Sequence, residues 1–147
     1  MIQALNADPG GQVMIDCKRA YAPAEASDGC RVLVDRLWPR NCPRQQLALA
    51  QWLPQVAPST ALRRAFKTAE IDFAHFRLGY RQELAAQPGH WWQLLELAER
   101  GPLTLIYAAR HETQNNARVL AEWLEDELDR CDTGSSPVCY AELFKAP

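Results

Sequence analysis

The pattern of apolar and polar positions predicts short strands separated by helices. Residues 13–18, 31–34 and 103–107 are apolar or β-branched runs, which are typical of buried strands. The run 103–107, LTLIY, is apolar almost throughout, as expected of a central strand in a parallel sheet. We therefore expect a small three-layer α/β domain, with a mostly parallel sheet of three or four strands flanked by helices.

The segments between these strands have apolar residues at helical spacing. Helices are predicted over residues 47–53, from Ser59 onward, over residues 73–84, over residues 91–98 and from residues 113–116 onward. Ser59 follows a proline and can cap the helix that starts there, so we interpret it as a cap rather than a nucleophile.

These elements define the expected domain organisation. Residues 1–12 contain Pro9-Gly10-Gly11 and are interpreted as a loose leader. Residues 13–131 are predicted to form a single α/β domain. Residues 132–147 are interpreted as a C-terminal tail that either adds an edge strand or packs against the domain.

Composition and charge argue against two classes of partner. The 147 residues include 16 basic and 18 acidic side chains, a net charge of −2, whereas nucleic-acid-binding domains usually carry a basic excess. No apolar run approaches the ~18 residues of a membrane span, and residues 1–10 do not resemble a signal peptide. We expect a cytoplasmic protein that contacts neither nucleic acid nor membrane.

The cysteines and histidines do not predict a metal site. The five cysteines include no CxxC pair, and the three histidines are scattered among them. Cys30 and Cys42 flank the segment discussed next, but neither lies at a predicted helix N-terminus that would activate a thiol. The glycine motifs of dinucleotide and P-loop sites are also missing, so the sequence assigns no cofactor.

The candidate chemistry lies where the predicted strands end. Ligands of open parallel sheets bind at the carboxyl ends of the strands. Here those ends carry basic, acidic, aromatic and amide side chains, and guanidinium groups together with a helix N-terminus suit a phosphate or carboxylate. The sequence therefore predicts one crevice with Asp35 as candidate catalytic base and these ligand-binding residues: Arg19, Arg36, Trp38, Arg40, Arg110, His111 and Asn115.

Each of these residues also has a structural interpretation. Asp35 either acts as a base or forms an ion pair with Arg36 or Arg40 that organises the loop. Trp38 is either a platform for a ligand or a core side chain. Asn115 either contacts the ligand or only caps the following helix.

Three segments resemble the YeaO-like family, bacterial proteins that contain domain of unknown function 488. The resemblance covers about residues 14–128 and is carried by residues 29–40 (GCRVLVDRLWPR), 52–53, 57–63, 76, 80–84, 101–109, 115–117 and 120. It implies no particular reaction. The family favours an acid and then a histidine before the asparagine, where this chain has His111 and Gln114, which favours binding over turnover.

Two functions follow from this sequence. The first is a small-molecule site for a phosphate- or carboxylate-bearing ligand, enzymatic if Asp35 serves as the base. The alternative is a non-enzymatic protein-interaction or regulatory module that uses the same charged loop.

Overall fold

A computed structural model describes residues 14–133, which form a four-stranded sheet with all pairs parallel. The strands are β1 (Ile15–Arg19), β2 (Cys30–Leu33), β3 (Gln51–Trp52) and β4 (Leu103–Tyr107). Their order in the sheet is β1-β4-β2-β3. Each residue of β4 is buried, and β4 lies between β1 and β2. The α/β class, the parallel sheet and the central position of residues 103–107 are therefore confirmed.

Five α-helices surround the sheet, and most begin close to the predicted positions. They are α1 (Arg44–Leu47), α2 (Thr60–Lys67), α3 (Phe73–Ala86), α4 (Trp92–Arg100) and α5 (Asn116–Thr133). Ser59 caps α2, because its hydroxyl accepts a hydrogen bond from the Leu62 N–H at 3.2 Å. None of the helices within residues 14–133 combines the length and apolar character needed to cross a membrane.

The sheet separates a large apolar core from a smaller one. Strand residues alternate between faces, so Val32 and Leu105 pack with α3, α4 and α5 in the large core. Leu33 and Ile106 point to the opposite face, where segment 35–50 covers them through Cys42 and Leu47. The molecule thus has three layers, with helices on one face and mainly loops with α1 on the other.

A buried ion cluster lies beside the smaller core. The Asp28 carboxylate accepts hydrogen bonds from Arg31 Nη1 at 2.7 Å and from Lys18 Nζ at 3.0 Å. Arg31 is 4% exposed, and its Nε donates to the Leu47 carbonyl at 2.8 Å. Because Leu47 belongs to α1, this arginine joins β2 to the layer that covers it.

The helix predicted over residues 47–53 is wrong. α1 ends at Leu47, so only the first residue of that range is helical, and Ala48 follows in a left-handed conformation with φ of 48°. The chain then pairs with β2: the Ala50 N–H donates to the Arg31 carbonyl and the Leu53 N–H donates to the Leu33 carbonyl. Backbone pairing with a neighbouring strand therefore overrides the helical spacing of the apolar residues, and β3 becomes the fourth strand.

The predicted leader, residues 1–12, lies outside the described residues. The predicted tail over residues 132–147 does too, except that the backbone of α5 continues to Thr133.

Candidate functional site

The carboxyl ends of β1, β4 and β2 lie side by side, as the sequence predicts. Asp35 lies two residues after β2 and makes hydrogen bonds across this edge of the sheet. One of its carboxylate oxygens accepts a hydrogen bond from the Ala108 N–H at 2.9 Å, and the other accepts one from the Asn116 side chain at 3.0 Å. Asp35 therefore joins the end of β2 to the end of β4 and to the start of α5.

The predicted ion pair between Asp35 and Arg36 or Arg40 does not form. Among the described residues, both oxygens of Asp35 bind neutral donors, and neither arginine approaches it as an ion-pair partner. Burial raises the pKa of Asp35, while hydrogen bonds from Asn116 and Ala108 and the charge of Arg63 oppose that rise.

Arg19, at the end of β1, holds the loop that follows β4. Its Nε donates to the Ala109 carbonyl at 2.8 Å and its Nη2 to the Ala108 carbonyl at 3.3 Å. Its guanidinium also lies over the Tyr21 ring, 5.1 Å from the centroid. These contacts tie the loop after β1 to the loop after β4 and engage both Nε and Nη2 of Arg19 within the protein.

Trp38 is half-buried and packs as part of the smaller core. Its indole N–H donates to the Cys42 carbonyl at 2.7 Å, and its ring meets Trp52 edge-on with centroids 5.5 Å apart. The Arg44 guanidinium lies 5.8 Å from its centroid. The interpretation of Trp38 as a core side chain therefore fits the structure better than a ligand platform.

The loop after β4 uses its polar groups to start α5. Asn115 is 2% exposed; its side-chain oxygen accepts from the Arg118 N–H and its Nδ2 donates to the His111 carbonyl. The Nδ1 atom of His111 accepts from the backbone N–H groups of Thr113 and Gln114. Asn115 is thus a helix cap, and these three N–H groups are already paired.

Arg36 is the predicted residue that lines a cavity. The cavity, here called the Arg36 pocket, has a volume of about 290 Å³ and lies beside the carboxyl end of β3. Its wall includes Arg36, Ala57, Ser59, Tyr80, Glu83 and His90. The other predicted residues do not line it, and the side chains of Arg40 and Arg110 are exposed to solvent. The single crevice expected for all eight side chains is therefore not observed among the described residues.

The backbone turn formed by residues 56–59 is held by three side chains around this pocket. Tyr80 Oη donates to the Val56 carbonyl at 2.5 Å, and Arg36 Nη2 donates to the Pro58 carbonyl at 3.1 Å. The Glu83 carboxylate accepts from the Ser59 N–H at 2.8 Å and from its hydroxyl at 2.6 Å. Burial raises the pKa of Tyr80, so its hydroxyl stays protonated and keeps its donor role.

The residues predicted from the sequence do not include Tyr80 and Glu83, although the apolar spacing of α3 indicates where both lie. Phe76, Tyr80 and Leu84 form the buried face of this helix, and Glu83 lies next to that face. A carboxylate at the border of a buried stripe needs a polar partner, and the Ser59 pairing supplies it.

The described thiols are poorly suited to nucleophilic chemistry. Burial raises the pKa of Cys17 to about 12 and also raises the pKa of Cys30. Cys42 is buried, with its sulfur 3.6 Å from the Ala20 carbonyl oxygen. Within residues 14–130, no three His, Cys, Asp or Glu side chains are grouped so that they could hold a metal ion.

Comparison with known proteins identifies similar chains. Residues 14–141 match the family described as "Inactive DUF488-N3 subclade". The chain is 51% identical over 110 residues to the uncharacterized protein YeaO of Escherichia coli, which covers 75% of this chain and 96% of YeaO. It is 34% identical over 106 residues to uncharacterized proteins of Mycobacterium bovis and Mycobacterium tuberculosis, covering 72% of this chain and 89% of each relative. No solved structure matches.

Proposed function

Because this chain belongs to the DUF488 family, in the subclade described as inactive, we propose that it binds a small organic anion in the Arg36 pocket without transforming it. The proposal keeps the anion-binding function inferred from the sequence. Of the binding residues predicted from the sequence, it retains only Arg36, which lines the cavity.

The observation that carries the proposal is that the Arg36 guanidinium is held in place but keeps hydrogen-bond donors that residues 14–130 do not use. Its Nη2 donates to the carbonyls of Ala57 at 3.4 Å and Pro58 at 3.1 Å, which orients the group at the pocket wall. No carboxylate within residues 14–130 pairs with it, and its Nε and Nη1 donors make no hydrogen bond to this part of the chain. A fixed guanidinium with free donors in a cavity suits a carboxylate or phosphate.

Two observations favour binding over turnover. Asp35, the candidate base, uses both carboxylate oxygens to join β2, β4 and α5, and it does not line the pocket. His111 and Gln114 stand where the resemblance favours an acid and then a histidine, and the family description reads "Inactive". We propose that Asp35 is a structural residue here.

A thermal-shift screen tests the proposal. The panel contains nucleotides, sugar phosphates and short carboxylates, each tested on wild type, Arg36→Ala and Arg100→Ala. Arg100 is the matched control, because it is an exposed arginine just before the opposite, amino end of β4. A ligand at about 100 times its Kd adds roughly 2.7 kcal/mol, which raises Tm by several degrees.

We expect at least one anion to raise the Tm of wild type and of Arg100→Ala but not of Arg36→Ala. A shift of equal size in all three proteins would place binding elsewhere. A panel without any shift in wild type would contradict anion binding in this pocket.

A protein-interaction surface is the second candidate, favoured by two exposed apolar side chains. Leu37 is 66% exposed and Trp52 is 41% exposed, and the Trp52 indole N–H donates to the Asp35 carbonyl. The carbonyl that Trp52 binds lies two residues before Leu37 in the chain, and exposed apolar side chains in one region of the surface are typical of protein-binding surfaces. Immobilised wild type should retain a partner from host extract that Leu37→Ser loses and Leu78→Ser keeps. Equal capture by all three proteins would argue against this surface.

A further inference from the structure

We propose that the ligand of the Arg36 pocket is a zwitterion: a small molecule with one carboxylate, one ammonium group and a short apolar chain, as in an apolar α-amino acid. This inference rests on the proposed function and names the ligand class for the same cavity. Arg36 binds the carboxylate and Glu83 binds the ammonium.

The pocket carries two opposite charges that do not neutralise each other. Arg36 and Glu83 both line it, yet they form no ion pair with each other. Glu83 also lacks a cationic partner within residues 14–130; its two oxygens accept one hydrogen bond each, both from Ser59. A carboxylate can accept about four hydrogen bonds, so acceptor positions on Glu83 remain for a ligand.

Both charges are held in place before any ligand arrives. The Arg36 guanidinium is oriented by the carbonyls of Ala57 and Pro58. The Glu83 carboxylate is oriented by Ser59, the residue that follows Pro58 in the chain. Tyr80 fixes the start of the same turn through its bond to the Val56 carbonyl. The separation between the two charges is therefore set by one short stretch of backbone, which lowers the ordering cost of binding a ligand with two charged groups.

The apolar part of the lining indicates a ligand with an apolar body of modest size. Val56, Ala57, Leu84 and Ala86 belong to the wall, together with the polar side chains of Gln55, Gln87 and His90. A volume of about 290 Å³ lies near the lower end of the usual range for ligand pockets, which starts at roughly 300 Å³. Such a space suits a chain of a few carbon atoms rather than a nucleotide.

The same charges disfavour a phosphate dianion. Arg36 supplies one positive charge to the wall, and Glu83 supplies a negative charge to the same wall. A second negative charge on the ligand would meet like charge. One carboxylate together with one ammonium matches both fixed groups.

Titration calorimetry with four probes of equal chain length tests the inference. The probes are norleucine, with both charges; hexanoate, without the ammonium; hexylamine, without the carboxylate; and hexyl phosphate, a dianion. We expect wild type to bind norleucine at least ten-fold more tightly than each of the other three. This ranking is measured on the unaltered protein, so it does not depend on any variant folding.

Two variants then test which side chain binds which charged group of the ligand. Glu83→Gln keeps the shape and removes the charge, so it should reduce the preference for norleucine over hexanoate to near one. Arg36→Ala should weaken norleucine and hexanoate alike. Glu99→Gln and Arg100→Ala are the matched controls on α4, both exposed and outside the pocket, and should bind norleucine as wild type does.

The outcomes separate this inference from the proposed function. Hexanoate or hexyl phosphate binding as tightly as norleucine, with loss in Arg36→Ala, would overturn the zwitterion and leave anion binding standing. Tightest binding of hexylamine, unaffected by Arg36→Ala, would overturn both. Absence of binding by all four probes would overturn the ligand class, and the wider anion panel would then decide the proposed function.

Discussion

At the scale of single residues, Arg31 within β2 and Arg36 beyond its carboxyl end have opposite environments. Arg31 is buried and paired with Asp28, whereas Arg36 is exposed at a pocket wall without a carboxylate partner among residues 14–130. The buried pair has a structural role, because Arg31 also joins β2 to α1 through the Leu47 carbonyl. The exposed arginine uses only its Nη2 atom in hydrogen bonds to the described part of the chain.

Asp28→Ala should destabilise the protein by about 3–5 kcal/mol, because it leaves the buried charge of Arg31 without its partner. Glu25→Ala is the matched control. Glu25 pairs with Lys18 in the same cluster but is largely exposed, so its loss should cost less than about 1 kcal/mol. Urea unfolding of the three proteins measures both values, and equal costs would show that burial does not strengthen the cluster.

The cost of Asp28→Asn should also depend on pH. Burial acts to raise the pKa of Asp28, but hydrogen bonds from the Glu25 N–H, Lys18 and Arg31 outweigh it, and the pKa lies below its ordinary value. A lowered pKa stabilises the fold above the ordinary aspartate range, and that stabilisation is lost as pH falls through the folded-state pKa. The difference in unfolding free energy between wild type and Asp28→Asn should therefore be largest near neutral pH and shrink below about pH 4.

Gly29→Ala should destabilise the protein by more than about 1 kcal/mol. Gly29 has φ of 67°, and a Cβ atom there would lie 2.4 Å from the Pro102 carbonyl oxygen, which accepts a hydrogen bond from the Cys30 N–H. Gly89→Ala is the matched control, since its Cβ would meet nothing within 4 Å. Thermal unfolding of both variants measures the loss of stability. A Gly29→Ala protein as stable as wild type would show that Pro102 can move away from residue 29 at little energetic cost.

At the scale of elements, β4 is the centre of the sheet, and α3 connects the core to the pocket. β4 pairs with β1 on one side and β2 on the other, and all five of its residues are buried. One face of α3 packs Phe76, Tyr80 and Leu84 into the core, while Glu83 reaches the turn before α2. The packing of α3 therefore also sets where the Glu83 carboxylate lies.

Leu105→Asp should prevent folding, because it would place an unpaired charge at a fully buried position of the central strand. Leu78→Asp is the same change on the 56% exposed side of α3 and should cost less than about 1 kcal/mol. Circular dichroism and urea unfolding distinguish the two variants. A cooperatively folded Leu105→Asp protein would contradict the central place of β4.

At the scale of the whole molecule, the described elements are unequally anchored. α3, α4 and α5 share the large core with the sheet, whereas α2 has no residue that is fully buried. Through its cap Ser59, α2 nevertheless borders the Arg36 pocket. The pocket thus has one weakly anchored wall.

Hydrogen exchange should resolve this difference. Amides of β4 should exchange only through global unfolding, while amides of α2 should exchange through local opening at a lower free energy. A ligand bound in the pocket should slow exchange at the start of α2 and leave α4 unchanged. Equal protection of α2 and β4 without ligand would show that the domain opens as one unit.

Part of this architecture could be predicted from local pattern, and the misses have a common cause. Residues 103–107 form a strand because their apolar character needs burial on both faces, which short-range sequence reveals. β3 was missed because a two-residue strand is defined by its pairing with β2 rather than by its own composition. The sequence allows two roles for Asn115, because a helix cap and a ligand contact both call for an amide side chain at the start of α5.

The sequence alone determined the α/β class, the order of the main elements, the family and the edge of the sheet where Arg36 lies. These features follow from periodicity, capping residues and the shared direction of parallel strands, all of which act over short stretches of chain. Only the tertiary structure decided that Asp35 bonds to Ala108 and Asn116 rather than to an arginine, and that Glu83 faces the same pocket as Arg36. The physical reason is that these contacts depend on how α3 and α5 pack against the strand ends, and no local pattern encodes that packing.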